Sequence, residues 1–276
     1  MRRLVVAALI SGGVSGAHAA DLSDLPILRG SFSEGLSRSH VNWEGFYVGG
    51  QGGYGASDEN FNGSTANMMA ALLANTIIEA EMGVSRWNLG LGKESARSSS
   101  YGAFVGYSWQ WEDVVIGLEA SYLHGTFGGA TSATQARSSG TPLSDTYIHD
   151  VTATSSASIA ITDLATFRGR AGYAYGCFLP YAFGGIALGN ANITRSVGAL
   201  DVWTATAGSP APGGQAFLTS SNPQHNHLIY GYAAGLGVDV NLVGGLFMRA
   251  EWEYLRFTSA VDTSINTVRA GLGYKF

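Results

Sequence analysis

Along most of this sequence, apolar side chains recur at every second position. From Gly45 onward they alternate with small or polar residues in runs of roughly ten, the length of a strand that crosses a bilayer. In the run from Tyr101 to Trp109, Tyr101, Ala103, Val105, Tyr107 and Trp109 share one face. Gly102, Phe104, Gly106 and Ser108 share the other, because successive side chains of a strand point to opposite sides. Val114, Ile116, Leu118, Ala120 and Tyr122 then oppose Gly117, Glu119 and Ser121, and Ala165, Phe167, Ala171 and Tyr173 oppose Thr166, Arg168, Arg170 and Gly172. Three more apolar faces follow, at Tyr230–Val238, Leu246–Tyr254 and Val268–Phe276. Runs near 45–54 and 178–190 also read as strands, but their glycines leave the two faces unassigned.

The connections between runs fall into two kinds. Gln110–Asp113, Gly176–Cys177 and Asn241–Gly245 are tight; 55–97, 125–160, 191–226 and 258–264 are longer, and the two kinds alternate. This predicts an all-β chain: an eight-stranded antiparallel up-and-down transmembrane β-barrel with short periplasmic turns, long extracellular loops and both termini periplasmic. Closure of the first strand on the last leaves no unpaired edge in lipid. Trp109, Trp111, Tyr175, Tyr274 and Phe276 would sit at the periplasmic interface, and Tyr101, Tyr122, Tyr230 and Tyr254 at the external one. In the first long loop, Ala66–Met82 has helix-forming composition with Leu72, Leu73, Thr76, Ile77 and Ala80 on one side, a weakly amphipathic helix for the barrel mouth or membrane surface. Ala130–Thr141 and Thr204–Gln224 are rich in Ser, Thr, Ala, Gly and Pro, the composition of mobile loops.

Composition sharpens this picture. Only 13% of residues are charged and glycine numbers 39 of 276, too little charge for a water-soluble surface of this size. Residues 1–19 form a signal peptide: Arg2 and Arg3, an apolar run from Leu4 to Ile10, and a small-x-small site at Ala17-His18-Ala19. Residues 20–42 read as a polar periplasmic segment and 43–276 as the barrel domain. Loss of Arg2 and Arg3 takes Lys+Arg from 15 to 13 against 20 Asp+Glu, a formal −7, which argues against nucleic acid as a partner. Cys177 is the single cysteine, so no intramolecular disulfide forms.

Glu119, Arg168, Arg170, Arg249, Glu251, Glu253 and Arg269 fall opposite the lipid-facing side chains, hence inward. Both signs are present. Such a group is either a plug of ion pairs or a narrow charged conduit, and the width of an eight-stranded interior favours the plug. Gly50-Gln-Gly52-Gly-Tyr-Gly55 has the spacing of a dinucleotide loop but no helix follows it, so it reads as a strand end, and no cofactor is expected. His225 and His227 lack further ligands nearby for a metal. Glu251 and Glu253, with Arg249 beside them, read as an ion-pair network rather than a catalytic pair. His124, His149 and Asp150 are the raw material for an outer-membrane hydrolase, but no nucleophile motif accompanies them, and the chain is not expected to be an enzyme. A soluble lipocalin-like barrel would place its apolar side inside, the reverse of the pattern here.

The order of three stretches resembles a known family. These are Ala20-Asp21-Leu22 with Asp24-Leu25-Pro26, then Trp43-Glu44-Gly45-Phe46-Tyr47-Val48-Gly49-Gly50, and Tyr101–Trp111. With the tail from Val268 to Phe276, they are similar to the small opacity-type outer-membrane barrels of alpha-proteobacteria, akin to the membrane domain of outer-membrane protein A. The resemblance implies insertion among outer-membrane lipids through the barrel assembly machinery, which reads the terminal Phe276. It implies an envelope barrel, with weak small-solute passage as its transport version. The alternative is a surface adhesin or antigen that uses the barrel only to present loops to a surface or host ligand.

Overall fold

The computed structural model describes residues 41–87, 89–258 and 261–276. The leader and most of the 20–42 segment lie outside the described residues. Eight strands follow one another: β1 Gly45–Asn60, β2 Lys93–Trp111, β3 Val114–Ser138, β4 Tyr147–Tyr173, β5 Phe178–Ala205, β6 Gly214–Val243, β7 Leu246–Phe257 and β8 Asp262–Lys275. Each pairs antiparallel with its neighbours, and β8 returns to β1 from Tyr47↔Lys275 to Asn60↔Asp262, so the barrel is closed.

One end of the barrel, the near end, holds the described tail and the tight turns. β2 and β3 are joined by Glu112 and Asp113, with Glu112 at φ 54°, and β6 and β7 by Gly244 and Gly245, with Gly244 at φ 58°. A two-residue hairpin needs such positive φ to match the strand twist, which glycine adopts without steric cost. At the same end the Phe276 amide donates to Phe46 O at 2.9 Å and Lys275 Nζ to Glu44 O at 3.2 Å, fastening the tail to the first strand.

The faces are inverted relative to a soluble protein. Leu118 and Val268 point outward, 62% and 64% exposed, while Arg249 and Arg269 point inward at 1%. Where the alternation was assigned from sequence, the outward residues are the apolar ones expected. In β1 and β5 the structure supplies what glycine obscured: Tyr47 and Gln51 face inward, as do Leu179, Tyr181 and Phe183.

Two expectations require correction. The segments 125–160 and 191–226 are not loops, because β3 to β6 continue through most of them to connections at 139–146 and 206–213. Ala130–Thr141 and Thr204–Gln224 are therefore largely strand. In the upper part of β4, Thr152, Thr154, Ser156 and Ser158 lie on the outer face and alternate with inward Val151, Ala153, Ser155, Ala157 and Ile159. The β7–β8 connection is also shorter than 258–264, since β8 begins at Asp262.

The second correction concerns Ala66–Met82. It forms two short helices, α1 Ala66–Leu72 and α2 Ile77–Met82, instead of one. Asn75 at φ 67° breaks the path, and Thr76 caps α2 by accepting from the Glu79 amide at 3.3 Å. Ala80 is exposed, and the buried positions are Met69, Leu73 and Ile78, with Val84 and Trp87 after them. They pack on Val151, Ala153, Val197 and Ala199, so the segment caps the inner face of the tall strands.

Above the level of Ser100↔Gly125 and Gly231↔Phe257 the wall divides. β3 to β6 rise as a four-stranded sheet, while β8, β1 and β2 form a lower group.

Candidate functional site

The interior is filled in layers. Nearest the turns, Tyr47, Phe104, Tyr181, Phe183 and Phe247 project inward from different strands and pack together with Trp43. Guanidinium groups lie on these rings: Arg168 on Phe183 and Arg249 on Phe104, both at 4.0 Å, and Arg170 on Tyr181 at 4.1 Å. Cation–π contact of this kind gains strength where water is excluded.

The seven inward charges read from the sequence meet in one network. Glu119 accepts from Arg249 Nη1 at 2.8 Å, from Arg168 Nε at 2.9 Å and Nη2, and from the Tyr47 hydroxyl at 2.7 Å. Arg170 reaches it at 3.5 Å. Glu251 accepts from Arg168 at 2.7 Å, Arg269 at 2.8 Å and the Tyr181 hydroxyl at 2.6 Å. Glu253 lies 3.2 Å from Arg168 and 2.9 Å from Arg269.

Asp239 completes the set and was not singled out from sequence. It takes two hydrogen bonds from Arg249, at 2.8 and 3.0 Å, and one from Arg170 at 2.8 Å. Its signal was available: Asp239 alternates with Val238 and Val240, so it had to face the other way. Tyr47 and Tyr181 offered no such signal while the faces of their strands were open. Together Arg168, Arg170, Arg249 and Arg269 balance Glu119, Asp239, Glu251 and Glu253 in formal charge. An Arg fork bidentate to a carboxylate is the strong form of such a pair, and the neutral sum lets the group stay buried.

Above the ions, Gln51, Ser100, Thr166 and Thr267 contribute buried oxygen atoms without protein partners, a polar layer of the kind that holds internal water. An apolar layer follows, built around Leu123, Phe127, Ile161, Leu255, Phe257 and Ile265. The helical cap lies beyond it. At the near end, the space beside Trp43, Tyr47, Arg170 and Asp239 is about 10 Å³, roughly the volume one water centre occupies.

The other candidate groups are scattered. His124 is on the outer face, its Nδ1 2.9 Å from Asp163, which also accepts from Tyr122 at 2.6 Å and Thr162 at 2.8 Å. His149 is buried at the tip of the tall sheet between Asp201 and Asp145. The stretch of β4 from 149 to 163 keeps the two histidines apart by roughly 45 Å, and Asp150 points outward. His225 and His227 lie exposed where β6 bulges at Asn226, φ 53°. Among the described residues no three His, Cys, Asp or Glu side chains converge to hold a metal. The glycine-rich stretch 50–55 is plain strand, and Cys177 is a free thiol in a near-end turn.

A family model for the outer membrane protein beta-barrel domain matches residues 6–276. A 22 kDa outer membrane protein of Rhizobium leguminosarum bv. viciae is 23% identical over 245 residues, which is 85% of this chain and 79% of that protein. Among solved structures the chain is similar to Ail, the attachment invasion locus protein of Yersinia pestis, with 13% identity, 84% of this chain and 99% of that one covered, and a TM-score of 0.37. It is similar also to Neisserial surface protein A, NspA, with 13% identity, 84% and 97% coverage and a TM-score of 0.36. Superpositions this loose bear on no functional assignment.

Proposed function

The chain belongs to the outer-membrane β-barrel protein family, and on that premise we propose that it is a non-conducting envelope barrel whose working surface is the tall sheet of β3 to β6. The near end faces the periplasm in this reading and the sheet faces outward. Phe276 serves as the handle for the barrel assembly machinery. The ionic network acts as a structural plug, and no catalytic role is assigned to it.

The observation that carries this reading is the filled interior. Matched ions, an apolar layer and a helical cap stand in series along one axis. A permeating ion would have to displace a guanidinium from paired carboxylates and then cross a dry layer, each costing several kcal/mol. Solute passage is the weaker reading for that reason, and surface recognition the stronger. The paired sheet with its packed cap gives a partner a preordered surface, which lowers the entropic cost of binding.

The test is single-channel recording of the chain, purified from outer membranes and reconstituted in planar bilayers. A folded, silent barrel is the expected result. Discrete openings whose ion selectivity changes in Arg168→Gln or Arg170→Gln would make it a porin instead.

A further inference from the structure

At the far end of β1, one buried acid departs from the pairing seen elsewhere. Glu59 is 1% exposed and neither carboxylate oxygen has a hydrogen-bond partner. Every carboxylate of the internal network, by contrast, meets at least two arginines. Directly opposite Glu59 on β2 stands Glu94, a second carboxylate, and like charges at such a cross-strand position repel. Among the described residues no Lys, Arg or His bridges either one. Ser57, two residues back on the same inward face and fully buried, sets its hydroxyl beside Glu59 and has no hydrogen bond to any other residue.

Gly129 of β3 faces the Glu59 carboxylate and the stem of Glu94. A Cβ built there would lie 3.1 Å from Glu59 Oε2 and 3.3 Å from Glu94 Cβ. The backbone of Gly129 does not have the positive φ that favours glycine, so the missing side chain serves to leave space. The position lies beyond Tyr54, and Glu94, opposite Glu59 on β2, is exposed, so this side of the site reaches water. A counter-charge is what the site lacks.

We propose that Glu59, Glu94 and the Ser57 hydroxyl form a binding site for one calcium ion at the outer mouth of the barrel, in the gap beside Gly129. Calcium suits the arrangement because it accepts irregular oxygen sets, whereas magnesium demands a near-ideal octahedron. An ion here would turn a repulsive pair into a clamp between β1 and β2 where they face β3. With two carboxylates, the expected Kd is about 10⁻⁴–10⁻³ M, the range of extracellular modules.

The experiment is calcium titration calorimetry at pH 8 on the chain purified from outer membranes in mild detergent, with thermal unfolding in calcium or in EDTA at matched ionic strength. Wild type should bind one calcium saturably and melt higher in calcium. Glu59→Gln should weaken binding by about tenfold or more, and Glu94→Gln and Gly129→Ala should each weaken it measurably. Glu59→Gln is expected to fold, because it removes an uncompensated buried charge; Glu94→Gln, at an exposed position, is the second readout. Absence of saturable binding by wild type, with a melting temperature indifferent to calcium, overturns the proposal and leaves Glu59 simply protonated. Binding that persists unchanged in both Gln variants overturns it too, since the ion would then be elsewhere.

Discussion

Glu251 shows how much one side chain holds inside this barrel. Its oxygens accept from Arg168, Arg269 and the Tyr181 hydroxyl, so Glu251→Gln strips both guanidiniums of an anion in a place water reaches poorly. Removing one member of a buried ionic group costs about 3–5 kcal/mol. Reversible urea unfolding in lipid vesicles should show a loss of that size, while Glu112→Gln in the near-end turn should change little. His149 gives a residue-level prediction in pH. Burial draws its pKa down, but hydrogen bonds to Asp201 and Asp145 outweigh that, and the net shift is upward. Both ring nitrogens lie within 3.0 Å of carboxylates, so the doubly protonated ring is the form that fits. A folded pKa above the unfolded value of about 6.5 means the stabilisation is complete below that pH and fades as pH rises through the raised pKa. Protection factors of the amides at 147–151, which discount the intrinsic base catalysis of exchange, should therefore fall towards alkaline pH in wild type, and His149→Gln should flatten that fall. Residues of this kind differ in how well the sequence disclosed them. Arg249 was legible because Met248 and Ala250 on either side face lipid, but Tyr47 was not, since Phe46 and Val48 beside it are also apolar and the run beyond is glycine.

The cap and the tall strands belong to a scale at which local composition misleads. Ser, Thr and Ala read as loop when a strand is expected to be apolar on one side, yet outside a membrane a strand needs only small inward residues against a close-packed cap. What escaped the sequence was the cap's position, which is set by contacts between Leu73 or Ile78 and residues of β4 and β5 far along the chain. Leu73 is fully buried there, so Leu73→Ala should cost about 2–5 kcal/mol of local stability. Limited proteolysis should then cut within 61–92 while the barrel below stays intact; simultaneous loss of the whole fold would show that cap and barrel are one cooperative unit. β6 carries its own protection against pairing with other chains, since Pro223 and the bulge at 225–227 interrupt the edge left bare above β7.

For the molecule as a whole, lipid-facing Leu and Val and a backbone paired right round the closed part of the barrel predict resistance to mild detergent. The chain should migrate faster on denaturing gels before boiling than after it, and indifference to heating would contradict a closed barrel. Fold and topology were largely legible because closure, strand count and facing all follow from period two and from where the turns fall. Strand height did not, and height has a consequence of its own. From Tyr230 to Gly214, β6 rises roughly 40 Å after allowing for strand tilt, against a far shorter climb for β1 and β8. With the sheet facing outward, as proposed above, that difference would act as a filter by size. Antibodies and other bulky visitors would meet only the summit of the sheet, while the lower rim would be left to small molecules.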